Sequence, residues 1–212
     1  MDNDTKASSD DVACTLCGTT FQGPGKYKAF PLCDSCYSSA YEADMTIARS
    51  TTFEEADHIC DNVWVGPEGS TRDVAWLRER GIDRVLTVAG HMHTMQHFES
   101  IEYMQLDIDD DPSEQLKHHW EGRGGAFDFM RSRDTGVLVH CVSGVSRSGA
   151  TAVAYCMRFR TGGDLAAAYS MVRRKRPCVS PNSGFQRQLI EYAEELRSRQ
   201  TGAVATAAAA AK

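Results

Sequence analysis

An α/β fold, built on a central and mostly parallel sheet flanked by helices, is the class this chain predicts. Three observations predict it. Short apolar runs suited to buried strands, such as Val137 to Val139, alternate with segments of helical character through the middle of the chain. Val137 to Val139 leads into a loop of small residues and then into helix-compatible Ser148 to Phe159, so strand, loop and helix start follow in immediate succession. Near the C-terminus Phe185, Leu189, Tyr192, Ala193 and Leu196 recur on one face of an amphipathic helix.

Taken in order, residues 1–11 are polar and acidic and predict a disordered tail, without the basic and apolar regions of a secretory signal. Residues 12–45 form a cysteine-bearing module, and residues 46–56 read as a linker with some helical character. The main domain follows over 57–200. Its strands are expected near Ile59 to Val65, Arg84 to Val88, Ile101 to Leu106 and Gly136 to His140. Helices are expected near Thr71 to Arg80 and Ser113 to Arg133, with three more after the loop that begins at Cys141. Trp76 to Val88 reads in one stretch as a helix end, a turn at Gly81 and a buried strand. Residues 201–212, rich in alanine, are a low-complexity tail that either frays or extends the last helix.

A chain of 212 residues, 42% of them hydrophobic, suffices for one core plus a minor appendage. The net charge of −6 argues against general affinity for nucleic acid or acidic membranes, and leaves room for a local basic pocket. No apolar run reaches eighteen residues, so no membrane span is expected. With no export signal, the expected home is the reducing cytoplasm, the nucleus or both.

Cys14 and Cys17 form one CxxC pair, and after a fifteen-residue gap Cys33 and Cys36 form another. Four thiolates in two such hooks are the soft, tetrahedral ligand set that Zn²⁺ prefers, and Gly18 and Gly23-Pro24-Gly25 supply the turns. Two disulfides are the competing reading, which the lack of an export signal disfavours. Because every ligand is protein sulfur, the metal is expected to be structural, folding a segment too short for a core of its own. Lys26 and Lys28 make too thin a basic patch for nucleic acid, so docking to another protein is the expected role of the module.

The richest chemistry lies in residues 140–150, HCVSGVSRSGA. Cys141 stands at a strand end and Arg147 six residues later at a helix start. In a tight loop between them the N–H groups of Val142, Ser143, Gly144, Val145, Ser146 and Arg147 point inward and, with the helix dipole, form an anion cradle. A phosphate fits there. The arginine and the helix start both favour the charged sulfur, which makes Cys141 a nucleophile. Arg147 offers a planar fork matched to two phosphate oxygens, best in the trigonal-bipyramidal transition state. The Ser148 hydroxyl is placed to donate to the sulfur when it departs. His140 is read as a ring bonded to nearby backbone that holds the loop, in preference to a proton-transfer role. A buried cysteine that happens to precede an arginine is the bland alternative. It leaves unexplained the flanking histidine and serine and the strand and helix signals on their proper sides.

This stretch resembles the HC-x5-R-[ST] signature of the cysteine-based protein phosphatases, most closely their dual-specificity class. Ile59 to Gly66 (ICDNVWVG) is similar to that family's opening strand, and Pro181 to Phe185 (PNSGF) to its P-N-x-G-F turn before the final helix. The resemblance spans about Asp57 to Arg199 and implies a protein tyrosine phosphatase-like fold, with 57–200 as the catalytic domain. It implies hydrolysis of phosphotyrosine and phosphoserine or phosphothreonine monoesters through a phosphocysteine on Cys141, with no cofactor for catalysis. It also implies that Asn182 braces the phosphate loop, an ordinary N-cap being the alternative. The family's general acid sits on a mobile loop upstream of the cysteine, with an apolar residue six positions further on. Asp110 matches, with Leu116 at that place. Asp109 and Asp111 remain rivals, and a solvated acidic turn is the alternative for all of them.

The loop interior, Val142 to Ser146, contains no lysine, whereas phosphoinositide phosphatases of this superfamily often carry lysines there. Phosphoproteins are therefore the expected substrates. A phosphoprotein-binding pseudophosphatase, or an adaptor docking through the zinc module, is the alternative; a sulfur-transfer or arsenate-reducing protein leaves Asp110 and PNSGF unexplained. His91, His93 and His97 read as free loop histidines. Arg173-Arg174-Lys175-Arg176 reads as a solvated helix end, ahead of a nuclear signal or second phosphate site. Cys60, Cys156 and Cys178 read as core or surface thiols, one of which could protect Cys141 by disulfide formation.

Overall fold

The computed structural model describes residues 11–14, 19–22, 55–90 and 97–210. Two short antiparallel strands, β1 (Asp11–Ala13) and β2 (Thr20–Gln22), belong to the N-terminal part. The main domain is a five-stranded sheet in the order β3-β4-β7-β5-β6, made of β3 (Asp57–Cys60), β4 (Val63–Pro67), β5 (Ile82–Val88), β6 (Glu102–Leu106) and β7 (Gly136–Cys141). Every pairing is parallel except β3 with β4, so the expected mostly parallel sheet is present. The strand expected over Ile59 to Val65 is instead a hairpin. Asp61 at its tip takes a φ of 47°, a left-handed conformation that a short side chain such as aspartate tolerates, and it reverses the chain there.

β7 lies mid-sheet with all six residues buried, which explains its unbroken apolar run. Alternation divides the side chains between two faces. Val137 and Val139, with Val63, Val65, Leu86 and Val88, enter the larger core, while Leu138 joins Leu77, Ile82, Val85 and Ile101 on the other side. Helix α1 (Val74–Glu79) covers the smaller side, and Asp73 caps it by accepting from Ala75 N and Trp76 N. Helix α3 (Arg147–Phe159) runs through the larger core, buried at every position from Arg147 to Met157. It packs against α4 (Leu165–Lys175) and α5 (Ser183–Ala210), so the alanine-rich tail extends the last helix as far as Ala210. Phe185, Leu189, Tyr192, Ala193 and Leu196 are buried, as the periodicity predicts. Among the described residues no helix is long and apolar enough to cross a membrane.

The long helix expected over Ser113 to Arg133 is broken. A 3₁₀ turn at Leu116–His119 and helix α2 (Ala126–Arg131) are separated by Gly122 and Gly124, both at positive φ, a geometry that interrupts any helix. The end of α2 is satisfied by an unexpected group. Arg84, in the middle of β5 and completely buried, donates through Nη1 to Phe129 O at 2.8 Å and Met130 O at 3.1 Å. Its Nη2 donates to Arg133 O at 3.1 Å and to Thr135 O, and Nε reaches Asp83 Oδ1 at 3.3 Å. One guanidinium thus supplements the Ser132 cap on Phe129 O and ties α2 to the sheet. Arg84→Ala removes the buried donor to Met130 O along with the tie to residues 133–135, and urea denaturation is expected to register a loss of about 3 kcal/mol.

Candidate active site

The C-terminal end of β7 delivers Cys141, and the chain turns through residues 142–146 before α3 begins at Arg147. The carbonyls of residues 142–145 are all engaged from other segments, while Ser146 O accepts from Ala150 N in the first turn of α3. Val142 O accepts from Glu68 N at 3.1 Å and Val145 O from Ser180 N at 3.0 Å. Gly144 O accepts from Arg176 Nε at 2.8 Å and Ser143 O from Arg176 Nη2 at 3.3 Å. Carbonyls held from outside leave the loop amides free to face the sulfur of Cys141. Gly144 makes the turn possible. Its φ is +69°, and a methyl group there would lie 2.5 Å from the Gly66 carbonyl carbon.

Arg176 was expected to belong to a solvated helix end, and that expectation is wrong for this residue. It is 2% exposed, and its Nη1 is held by Asp57 Oδ2 at 2.7 Å and Glu55 O at 2.9 Å. Arg174 and Lys175 are exposed, as expected of that run. The one sequence signal that singles out Arg176 is its place directly before Pro177, where the helix has to end.

Cys141 is 1% exposed, with its Sγ 3.2 Å from Ser148 Oγ. His140 is buried, bonded through Nε2 to Thr87 Oγ1 at 2.8 Å and through Nδ1 to Cys141 O at 3.2 Å. Its ring therefore ties the loop's first residue to β5. Arg147 is nearly buried, and its Nη1 donates to Ile108 O at 3.1 Å. Its Nε has no hydrogen-bond partner among the described residues. A buried guanidinium N–H left open at the edge of an amide ring suits an incoming oxyanion.

Three carboxylates compete upstream, and they point in different directions. Asp109 lies against the backbone of Gly90, where an added methyl group would strike its Oδ1. Asp111 Oδ1 accepts from the hydroxyl and the amide of Ser113, at 2.6 and 2.8 Å, and those bonds hold it below the usual carboxylate range. Asp110 alone of the three meets the loop. Its Oδ1 accepts from Ser146 Oγ at 2.6 Å and from Asn182 Nδ2 at 2.8 Å. Leu116, six positions on, is fully buried and anchors the end of this segment.

Asn182 is the N-cap of α5 and also touches the Asp110 segment. Its Oδ1 caps α5 by accepting from Gly184 N at 2.9 Å and Phe185 N at 3.0 Å, while Nδ2 holds Asp110. Its own amide donates to Ser146 Oγ at 3.0 Å, closing a triangle of Ser146, Asp110 and Asn182. Gly184 is required at this corner, since a methyl group would run into Pro112 O.

Cys14 is buried beside the β1–β2 hairpin, its amide donating to Thr19 O at 2.9 Å. Cys17, Cys33 and Cys36 lie outside the described residues, as do the tail as far as Asp10, most of the linker, His91 and His93. Among the described residues no three His, Cys, Asp or Glu side chains are grouped to hold a metal ion. His97 stacks on Tyr103 with ring centroids 4.2 Å apart.

The family model described as dual specificity phosphatase, catalytic domain, matches residues 63–195. Mouse protein phosphatase Slingshot homolog 3 is 34% identical over 139 residues, which cover 66% of this chain and 21% of that protein. The chain therefore spans about a fifth of that relative's length. Dual specificity protein phosphatase 22 of Xenopus tropicalis is 34% identical over 134 residues, covering 63% of each chain. Among solved structures, a mouse putative dual specificity phosphatase complexed with zinc tungstate superposes with a TM-score of 0.64 at 27% identity, covering 71% of this chain and 94% of that one. Sheet order, loop and the extent of these matches lead to one conclusion: this chain belongs to the dual-specificity phosphatase family of the cysteine-based protein tyrosine phosphatase superfamily.

Proposed function

We propose that the chain hydrolyses phosphotyrosine and phosphoserine or phosphothreonine monoesters of proteins through a phosphocysteine intermediate on Cys141. The observation that carries this reading is the meeting of sulfur and carboxyl on one loop, Cys141 at its floor and Asp110 bonded to Ser146 at its rim. In the first step the Cys141 thiolate attacks phosphorus while the inward amides and Arg147 take the equatorial oxygens. Asp110 gives its proton to the departing ester oxygen. Among the described residues both its bonds fall on Oδ1, which leaves Oδ2 to carry that proton. In the second step Asp110 takes a proton from water, and Ser148, 3.2 Å from the sulfur, donates to the thiolate as it leaves.

Phosphoproteins are favoured over polyphosphorylated lipids because residues 142–146 bring no lysine to bind further phosphates. The sulfur chemistry requires a reducing compartment, cytoplasm or nucleus. Cys14, Cys17, Cys33 and Cys36 would hold a structural Zn²⁺ in a module that docks proteins; four thiols in two CxxC pairs fit that ion, and no catalytic step runs through it. Elemental analysis of the purified chain is expected to find zinc, lost in the Cys33→Ser variant, and chelation is expected to spare turnover of a small ester.

Turnover of para-nitrophenyl phosphate and of phosphopeptides tests the main reading. Cys141→Ser should abolish it, and Asp110→Ala should slow it by about 10²–10⁴-fold while vanadate still binds. Undiminished turnover after Asp110→Ala would transfer the acid role to another group. A wild-type chain that binds phosphopeptides without hydrolysing them would instead be a pseudophosphatase. Arg176→Lys keeps the charge but loses the fork that holds two carbonyls, and is expected to weaken vanadate binding about tenfold, or about 1.4 kcal/mol.

A further inference from the structure

Cys60, Cys156 and Cys178 are expected to be core or surface thiols, one of which could protect Cys141. The structure pairs Cys60 with Cys156. Cys60 ends β3 and Cys156 lies on α3, 96 positions apart in sequence, and their sulfurs are 3.6 Å from one another. Neither sulfur can serve Cys141 from there. Cys156 is nine residues beyond Arg147 along α3, roughly 13 Å at 1.5 Å per residue.

We propose that Cys60 and Cys156 form a hydroperoxide-sensing dithiol that closes to an intramolecular disulfide, stapling β3 to α3. Cys60 is partly exposed and Cys156 fully buried, which makes Cys60 the thiol an oxidant meets first and Cys156 the resolving one. The hydrogen bond from Cys156 holds the Cys60 thiol below its ordinary value against the opposing effects of burial and Asp61, and the Arg160 guanidinium adds to it. That same shared hydrogen bond, with burial, pushes Cys156 upward.

The chemistry balances with one molecule of hydrogen peroxide. The Cys60 thiolate attacks the distal peroxide oxygen, the O–O bond breaks, and the departing hydroxide takes a proton to become water. Cys60 is then a sulfenic acid. The Cys156 sulfur attacks the Cys60 sulfur, the S–O bond breaks, and the second hydroxide leaves as water with the Cys156 proton. Two thiols are oxidised by two electrons in all, and one peroxide is reduced to two waters. Closing the gap asks for a shift of little more than 1.5 Å toward the usual S–S distance, at a hairpin tip turned by Asp61.

The reduced full-length chain is treated with hydrogen peroxide, blocked with N-ethylmaleimide and mapped by non-reducing peptide mass spectrometry. A linked Cys60–Cys156 peptide is expected, along with a higher melting temperature than the reduced chain. Cys156→Ala should leave Cys60 as a sulfenic acid, with several-fold more dimedone adduct at Cys60 than in the wild type. Should that variant fail to fold, Cys60→Ser reports instead: the linked peptide vanishes and Cys156 is recovered as its maleimide adduct. Recovery of unoxidised wild-type Cys60 at a peroxide dose that consumes Cys141, or its linkage to any other cysteine, overturns the proposal. This test does not depend on whether the chain is a phosphatase.

Discussion

A loop that turns its amides inward must send its carbonyls outward, and those of residues 142–145 each meet a donor from another segment. That constraint organises the domain around residues 141–147. The donors come from the turn after β4, from the end of α4 and from the segment before α5, as Glu68 N, Arg176 and Ser180 N. Arg176 supplies two of the bonds at once and is itself fixed by Asp57 on the edge strand. The shape of the loop is thus a consequence of backbone satisfaction across the sheet, and is only as firm as that outer ring.

The segment carrying Asp110 is joined to the same ring by side chains. Asp110, Ser146 and Asn182 come from three separate segments and close a triangle in which each member is oriented by the other two. Ile108 O, two residues before Asp110, accepts from Arg147. The segment that carries Asp110 therefore touches the Arg147 guanidinium through its backbone as well as the loop through its carboxylate.

How much of this was legible in the sequence depended on the range of the signal. Strand, loop and helix around Cys141 are contiguous, so periodicity and small residues revealed them within one residue or two. The α5 face was equally plain. Asp110 was picked out by family resemblance alone, because three adjacent carboxylates differ only in where their side chains point, and that is decided by Ser113, Gly90, Ser146 and Asn182. Arg84 and Arg176 were invisible as buried residues. A guanidinium goes inside only when enough carbonyls converge on it, and those carbonyls belong to residues 129–135 and 143–144, remote in sequence. The hairpin at Asp61 and the glycine break at 122–124 were missed for a related reason, since apolar spacing continues across positions where the backbone reverses.

One contact of Arg176 bears on how the catalytic domain can be isolated. Its Nη1 rests on the carbonyl of Glu55 as well as on Asp57, so the clamp on the loop reaches eight residues upstream of Val63, where the family match begins. Trimming the polypeptide to the boundary suggested by similarity would delete the ledge on which that clamp stands. A minimal domain retaining its oxyanion geometry has to keep the peptide unit at Glu55 and the carboxylate of Asp57.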